Sequence, residues 1–76
     1  MKLREVFAKN LRAVRHAKGL SQEDLAFRAD ISAVYVSALE RGAYSASIDV
    51  IESIAKALGV SAASLLDAPG RRTKAG

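Results

Sequence analysis

The residues of this chain that can do chemistry are hydrogen-bond donors and cations, and they are suited to binding rather than to making bonds. Lysine and arginine number 12 against 8 acidic residues, a net charge of +4 with a pI near 9.9. That balance favours an anionic partner without specifying one. The chain has no cysteine, and His16 is its one histidine. It can therefore assemble neither a thiolate nucleophile nor a disulfide framework, and one histidine alone makes no zinc site. It also lacks a glycine-rich phosphate loop and paired carboxylates with an obvious cleft. The reading is a binding protein, not an enzyme, with no cofactor.

The donors gather around the segment QEDLAFRADISAVYVSALER, Gln22 to Arg41. Leu25 and Ala29 stand four apart and share one helix face; Val36 and Leu39 stand three apart and share another. Ile31 falls where the chain must turn back into the core, and Asp30 occupies the turn, where a positive φ carries a cost. Two short helices joined this way present the second as a rod that fits the major groove of B-DNA. Gln22 lies at the start of the first helix, where free N–H groups and the helix dipole favour a phosphate. Ser45 and Ser47, at the start of a later helix, offer a second such place, and Arg12 and Arg41 can add charge.

The positioning elements are all helical by this reading. Half the residues are hydrophobic but only 5 % are aromatic, a mix that suits an all-α bundle. Helix 1 runs from about Lys2 to Ala17 on a stripe of Leu3, Phe7, Leu11 and Val14, and Gly19 stops it. Ser21 begins helix 2 with Asp24 three residues on, close to a capping box. Ser32 caps helix 3, which runs to Glu40 or Arg41 before Gly42. Ser47 caps helix 4, with Ile48, Ile51, Ile54, Ala55 and Leu58 as its stripe and Gly59 as its stop. Ser61 caps a short helix 5 ending at Leu65 and Leu66. The expectation is a compact five-helix bundle over 1–68, followed by a basic, disordered tail over 69–76. No apolar run approaches the ~20 residues needed to span a bilayer. The opening MKLREVFAKN carries charge where a signal peptide would be apolar. A soluble cytoplasmic protein is expected.

Three blocks resemble the lambda-repressor-like DNA-binding domains of XRE/Cro/C1 type: GLSQEDLA at Gly19 to Ala26, YVSALERG at Tyr35 to Gly42, and IAKALGVS at Ile54 to Ser61. With the helix 1 pattern they cover Phe7 to Leu66. The compact length is similar to small controller-type regulators. The resemblance implies a transcriptional regulator that binds double-stranded DNA as a homodimer on a pseudo-palindromic operator. An antitoxin-type module with a protein partner and autoregulatory DNA binding is the alternative.

The resemblance also implies residue roles. Helix 3 would enter the major groove with Ser32, Ala33, Val34 and Tyr35 at its front and Ser37, Ala38 and Arg41 nearby. Relatives often carry long polar side chains at the first two of those helical positions. Ala33 and Val34 cannot hydrogen-bond to bases, though they can contact thymine methyl groups. Arg15 and Glu40 match a partly buried ion pair joining helix 1 to helix 3, with a phosphate contact as the alternative role for Arg15. Val60, Ala62 and Leu65 are the candidate dimer face.

Overall fold

The structure is a computed structural model, and it describes residues 2–68. The expected tail over 69–76 lies outside the described residues. In chain order α1 is Leu3–Ala17, α2 Gln22–Ala29, α3 Ala33–Glu40 and α4 Ile48–Leu58, followed by a 3-10 turn, Ala63–Leu65. Helix α2 packs on α3 and α4, while α1 packs on α3 and the 3-10 turn. The core is built from Phe7 and Leu11 of α1, Leu25, Ala26 and Ala29 of α2, Val36 and Leu39 of α3, Ile54, Ala55 and Leu58 of α4, and Leu65.

The elements begin and end by repeated local devices. The hydroxyls of Ser21, Ser32 and Ser47 accept from the backbone N–H groups of Asp24, Tyr35 and Val50 at 2.9, 3.0 and 3.1 Å. Each thereby satisfies one of the four orphan donors at a helix start. Asp24 returns the bond to Ser21 N–H at 3.0 Å, completing a capping box. At the other end, all four helices close with a six-to-one backbone bond. Leu20, Ile31, Ala43 and Val60 donate to the carbonyls of Arg15, Ala26, Ala38 and Ala55 at 3.0–3.1 Å. This is the Schellman arrangement, and it needs a left-handed residue just before the donor. Glycine supplies it after α1, α3 and α4; after α2 it is Asp30, at φ 61° and ψ 45°.

Two expectations need correction. The first is the fifth helix, which is one 3-10 turn, so the described residues form four α-helices. Leu65 and Leu66 donate to Ala62 and Ala63, three residues back, at 3.1 and 3.0 Å. Few residues separate Ser61 from Pro69, and a single α-turn cannot offset the cost of its nucleus. The carbonyls that a longer helix would have satisfied are taken by Asn10 instead. Its Nδ2 donates to Leu65 O at 2.9 Å and to Asp67 O at 2.8 Å. The second correction concerns the ends of two apolar stripes. Leu3 is 59 % and Ile48 82 % exposed. They are the first residues of their helices and form the rim of an open apolar groove shared with Phe7, Ile51 and Leu66.

Asp30 is the one non-glycine residue with positive φ among the described residues. Its carboxylate also sits at the negative end of the α2 dipole, an unfavourable place for an anion. Arg28 and Lys56 line the same surface depression and offset part of that repulsion. Replacing Asp30 with glycine removes both the left-handed strain and the charge, at some cost in unfolded-state entropy. Asp30→Gly is expected to stabilise the fold by about 0.5–1 kcal/mol, read as a higher urea midpoint with an unchanged slope.

Candidate nucleic-acid interface

The interface is organised by a buried polar network that fixes α3. Arg15 and Glu40 are only 7 % and 4 % exposed. Arg15 Nε donates to Glu40 Oε2 at 2.6 Å and Nη2 to Oε1 at 3.0 Å, a bidentate pair between α1 and α3. Gln22 Nε2 donates to the same Oε1 at 3.1 Å, which brings α2 into the network. Arg15 Nη1 donates to Leu20 O at 2.7 Å. Three helices thus meet on one carboxylate, and no buried side-chain polar atom among the described residues lacks a partner. Burial by itself raises the Glu40 pKa. The hydrogen bonds from Arg15 and Gln22, with the charges of Arg15 and Arg12, outweigh it and hold the carboxyl below its usual range. The bond to Glu40 raises the Arg15 pKa above its already high ordinary value.

With its inner face held this way, α3 turns its front outward. Ser32 is exposed, Ala33 and Tyr35 are half-buried, and Val34 is 80 % exposed. Ser37 is half-buried, and its hydroxyl accepts from Arg41 Nη1 at 2.9 Å. Ser32 and Ser37 therefore each have one lone pair committed within the helix, and the Val34 side chain is uncommitted. Arg41, Ser45, Ser47 and Arg12 are exposed. The first turns of α2 and α4 each bring acidic residues, Glu23 and Asp24 in one and Asp49 in the other. The Ser21 backbone N–H, which donates to the Asp24 carboxylate, and the nearby Ser21 hydroxyl lower the Asp24 pKa below its usual value. Those carboxylates oppose an anion at the helix ends.

Three sequence expectations meet the structure differently. Ala38 cannot read DNA: it is 3 % exposed. Helix α3 packs on both α1 and α2, so its buried arc is wide enough to take in Ala38 beside Val36, Leu39 and Glu40. Leu65 cannot form a dimer face, being 0 % exposed in the core of its own chain. Gln22, expected to meet a phosphate, has its amide turned inward to Glu40. Two structural contacts went unread in the sequence. One is this Gln22 bond. The other is Asn10, whose signal was a polar amide set directly before Leu11 in an otherwise apolar stripe.

A helix-turn-helix family model matches residues 11–65. Control protein C.BamHI of Bacillus amyloliquefaciens is 46 % identical over 66 residues, spanning 86 % of this chain and 82 % of that protein. The chain belongs to the XRE/Cro/C1-type helix-turn-helix family. Among solved structures, the hypothetical transcription factor NHTF from Neisseria superposes with a TM-score of 0.86 at 46 % identity, covering 90 % of this chain and 78 % of that one. The restriction-modification controller protein C.AhdI from Aeromonas hydrophila gives 0.80 at 40 % identity, covering 82 % and 94 %. In this helix-turn-helix regulator α2 and α3 are the motif, and α3 is its second helix. The protein is a DNA-binding transcriptional regulator, not an enzyme. Among the described residues no helix is long and apolar enough to cross a membrane.

Two outcomes follow from the buried network. Arg15→Ala leaves Glu40 buried with only Gln22 as a donor, and such a loss costs about 3–5 kcal/mol. The thermal midpoint should fall sharply. An unchanged melt with lost DNA binding would instead make Arg15 a phosphate contact. The second outcome concerns acid. Glu40 has a lowered folded pKa, so its contribution is fully present above the unfolded value of about 4.3 and is lost as pH falls below it. Urea midpoints from pH 6 down to 2.5 should show a steeper acid limb in the wild type than in Glu40→Gln.

Proposed function

We propose that the protein binds a specific pseudo-palindromic operator as a homodimer, with α3 of each copy in successive major grooves. The observation that supports this most directly is the pairing of a locked inner face on α3 with an open front at Ser32, Ala33, Val34 and Tyr35. A reading helix must reach base edges without reorganising, and the Arg15–Glu40–Gln22 network supplies that rigidity. Controller proteins and transcription factors among the similar chains favour the same reading. Such a regulator acts in the cytoplasm, where the DNA lies.

In this proposal Ser32, Ala33, Val34, Tyr35 and Ser37 face the bases. Arg41, Arg12 and the exposed serines Ser45 and Ser47 meet the backbone. Gln22 acts chiefly through Glu40, which aims α3. The arginines are needed because the acidic first turns weaken the α2 and α4 starts as phosphate sites. One small domain covers too little DNA for operator-level specificity, so a second copy on a half-site about 34 Å away completes the site. Val60 and Ala62 are half-buried and line a shallow depression with Ala55, Glu52 and Lys56. This is the proposed dimer face, without Leu65.

The experiment is selection of bound duplexes from a random pool, followed by titration of the winner. Two inverted half-sites should emerge. If the dimer neutralises about 6–8 phosphates, log K should fall against log salt with a slope of about −5 to −7. A flat response would remove DNA as the main partner. Val60→Lys should convert the free protein to monomer in sedimentation. If it does not, and Ile48→Lys does, the copies meet over the α1–α4 groove instead.

A further inference from the structure

Val34, at the front of the proposed reading helix, is 80 % exposed. It caps nothing; that role belongs to Ser32, whose hydroxyl holds the Tyr35 N–H. It can make no hydrogen bond. Its χ1 angle is stiff, because a β-branched residue in a helix keeps essentially one rotamer. Two methyl groups are thus held in a fixed position on the front of α3, with little side-chain entropy left to lose on binding.

In the major groove the one apolar feature that distinguishes base pairs is the C5 methyl of thymine. A valine pressed against a pyrimidine edge senses that methyl and nothing else. It is blind to position 4, where thymine carries an acceptor and cytosine a donor, since it can bond to neither. 5-Methylcytosine puts the same methyl on the same ring carbon. We infer that Val34 is a sensor of the pyrimidine C5 methyl, and that it gains as much from 5-methylcytosine over cytosine as from thymine over uracil. Operator affinity therefore responds to cytosine methylation at the position Val34 covers. The inference rests on the DNA-binding reading above and adds a class of ligand to it.

The probe is the duplex selected from the random pool, altered symmetrically in both half-sites at each pyrimidine in turn. Four versions are compared at fixed salt: thymine, uracil, 5-methylcytosine and cytosine. At one position per half-site, removing the methyl should weaken binding about fourfold, and about fifteenfold with both half-sites changed, for one methyl each. The thymine-to-uracil ratio should equal the 5-methylcytosine-to-cytosine ratio. In Val34→Ala both ratios should collapse towards one, with an unchanged melt because the residue is exposed. Equal affinity for all methylated and unmethylated pairs in the wild type would overturn the inference. So would a thymine effect with no matching 5-methylcytosine effect, or methyl dependence that survives in Val34→Ala. If Tyr35→Phe alone abolishes selectivity, readout runs through the tyrosine hydroxyl and the inference is wrong. Failure of the selection to enrich any sequence would overturn the DNA-binding reading itself, and this inference with it.

Discussion

Arg15 and Glu40 join the first helix to the third through bonds of 2.6 and 3.0 Å, in a place where each is less than a tenth exposed. A buried ion pair is a poor source of net stability, because removing both charges from water costs about as much as their attraction returns. Its asymmetry is what matters. Either partner alone is expensive to leave buried, so arrangements of α1 and α3 that separate them are strongly disfavoured. Gln22 adds α2 to the same carboxylate at 3.1 Å. The relative placement of three helices is thereby tied to one side chain, and that side chain sits on α3, the helix proposed to present its front to DNA.

The rest of the chain works as short rods set around that anchor. Helices of eight residues, as α2 and α3 are, would not persist alone, since isolated helices below about 12 residues are marginal in water. Serine hydroxyls at the starts and Schellman closures at the ends satisfy backbone groups that solvent would otherwise contest. Three of the four closures also aim the next residue inward: Leu20, Ile31 and Val60 pack against the core, while Ala43 after α3 is exposed. The turn between α2 and α3 uses Asp30 where the other three closures use glycine. It accepts some strain within the motif while the ion-pair network keeps the geometry.

Much of this was legible in the residues. The four helices, the serine caps of α2, α3 and α4 and the left-handed Asp30 follow from local rules, because capping and periodicity depend on neighbours three and four positions apart. The Arg15–Glu40 pair came from family likeness, since nothing within 25 residues of chain announces a bond between two helices. What stayed illegible depends on how far a helix is covered by its partners. Ala38 sits four residues after the exposed Val34, so a helical wheel puts them near one face; packing on both α1 and α2 buries it anyway. Leu3 and Ile48 match their stripes in sequence but begin their helices, where no described residue covers them. The fifth helix failed for want of length. The amide of Asn10 marks itself locally only as a polar residue beside an apolar stripe; its two carbonyl partners lie more than fifty residues away and have no local signature.

These features together constrain how the protein can be specific. A reading helix with an alanine and a valine at its front has little hydrogen-bonding vocabulary, and each bidentate contact it lacks forgoes about 1–3 kcal/mol of discrimination. A flexible front could not compensate, because weak apolar contacts return energy only when they are placed without further ordering cost. The locked inner face of α3 supplies that placement. In the proposed homodimer such small contributions are counted twice, once on each half-site. Sequence-dependent groove shape adds a term that needs no polar side chain. A rigid network behind an apolar front is thus consistent with the proposed reading: the buried charges give up little net stability, and van der Waals contacts at a front held in place can discriminate without further ordering cost.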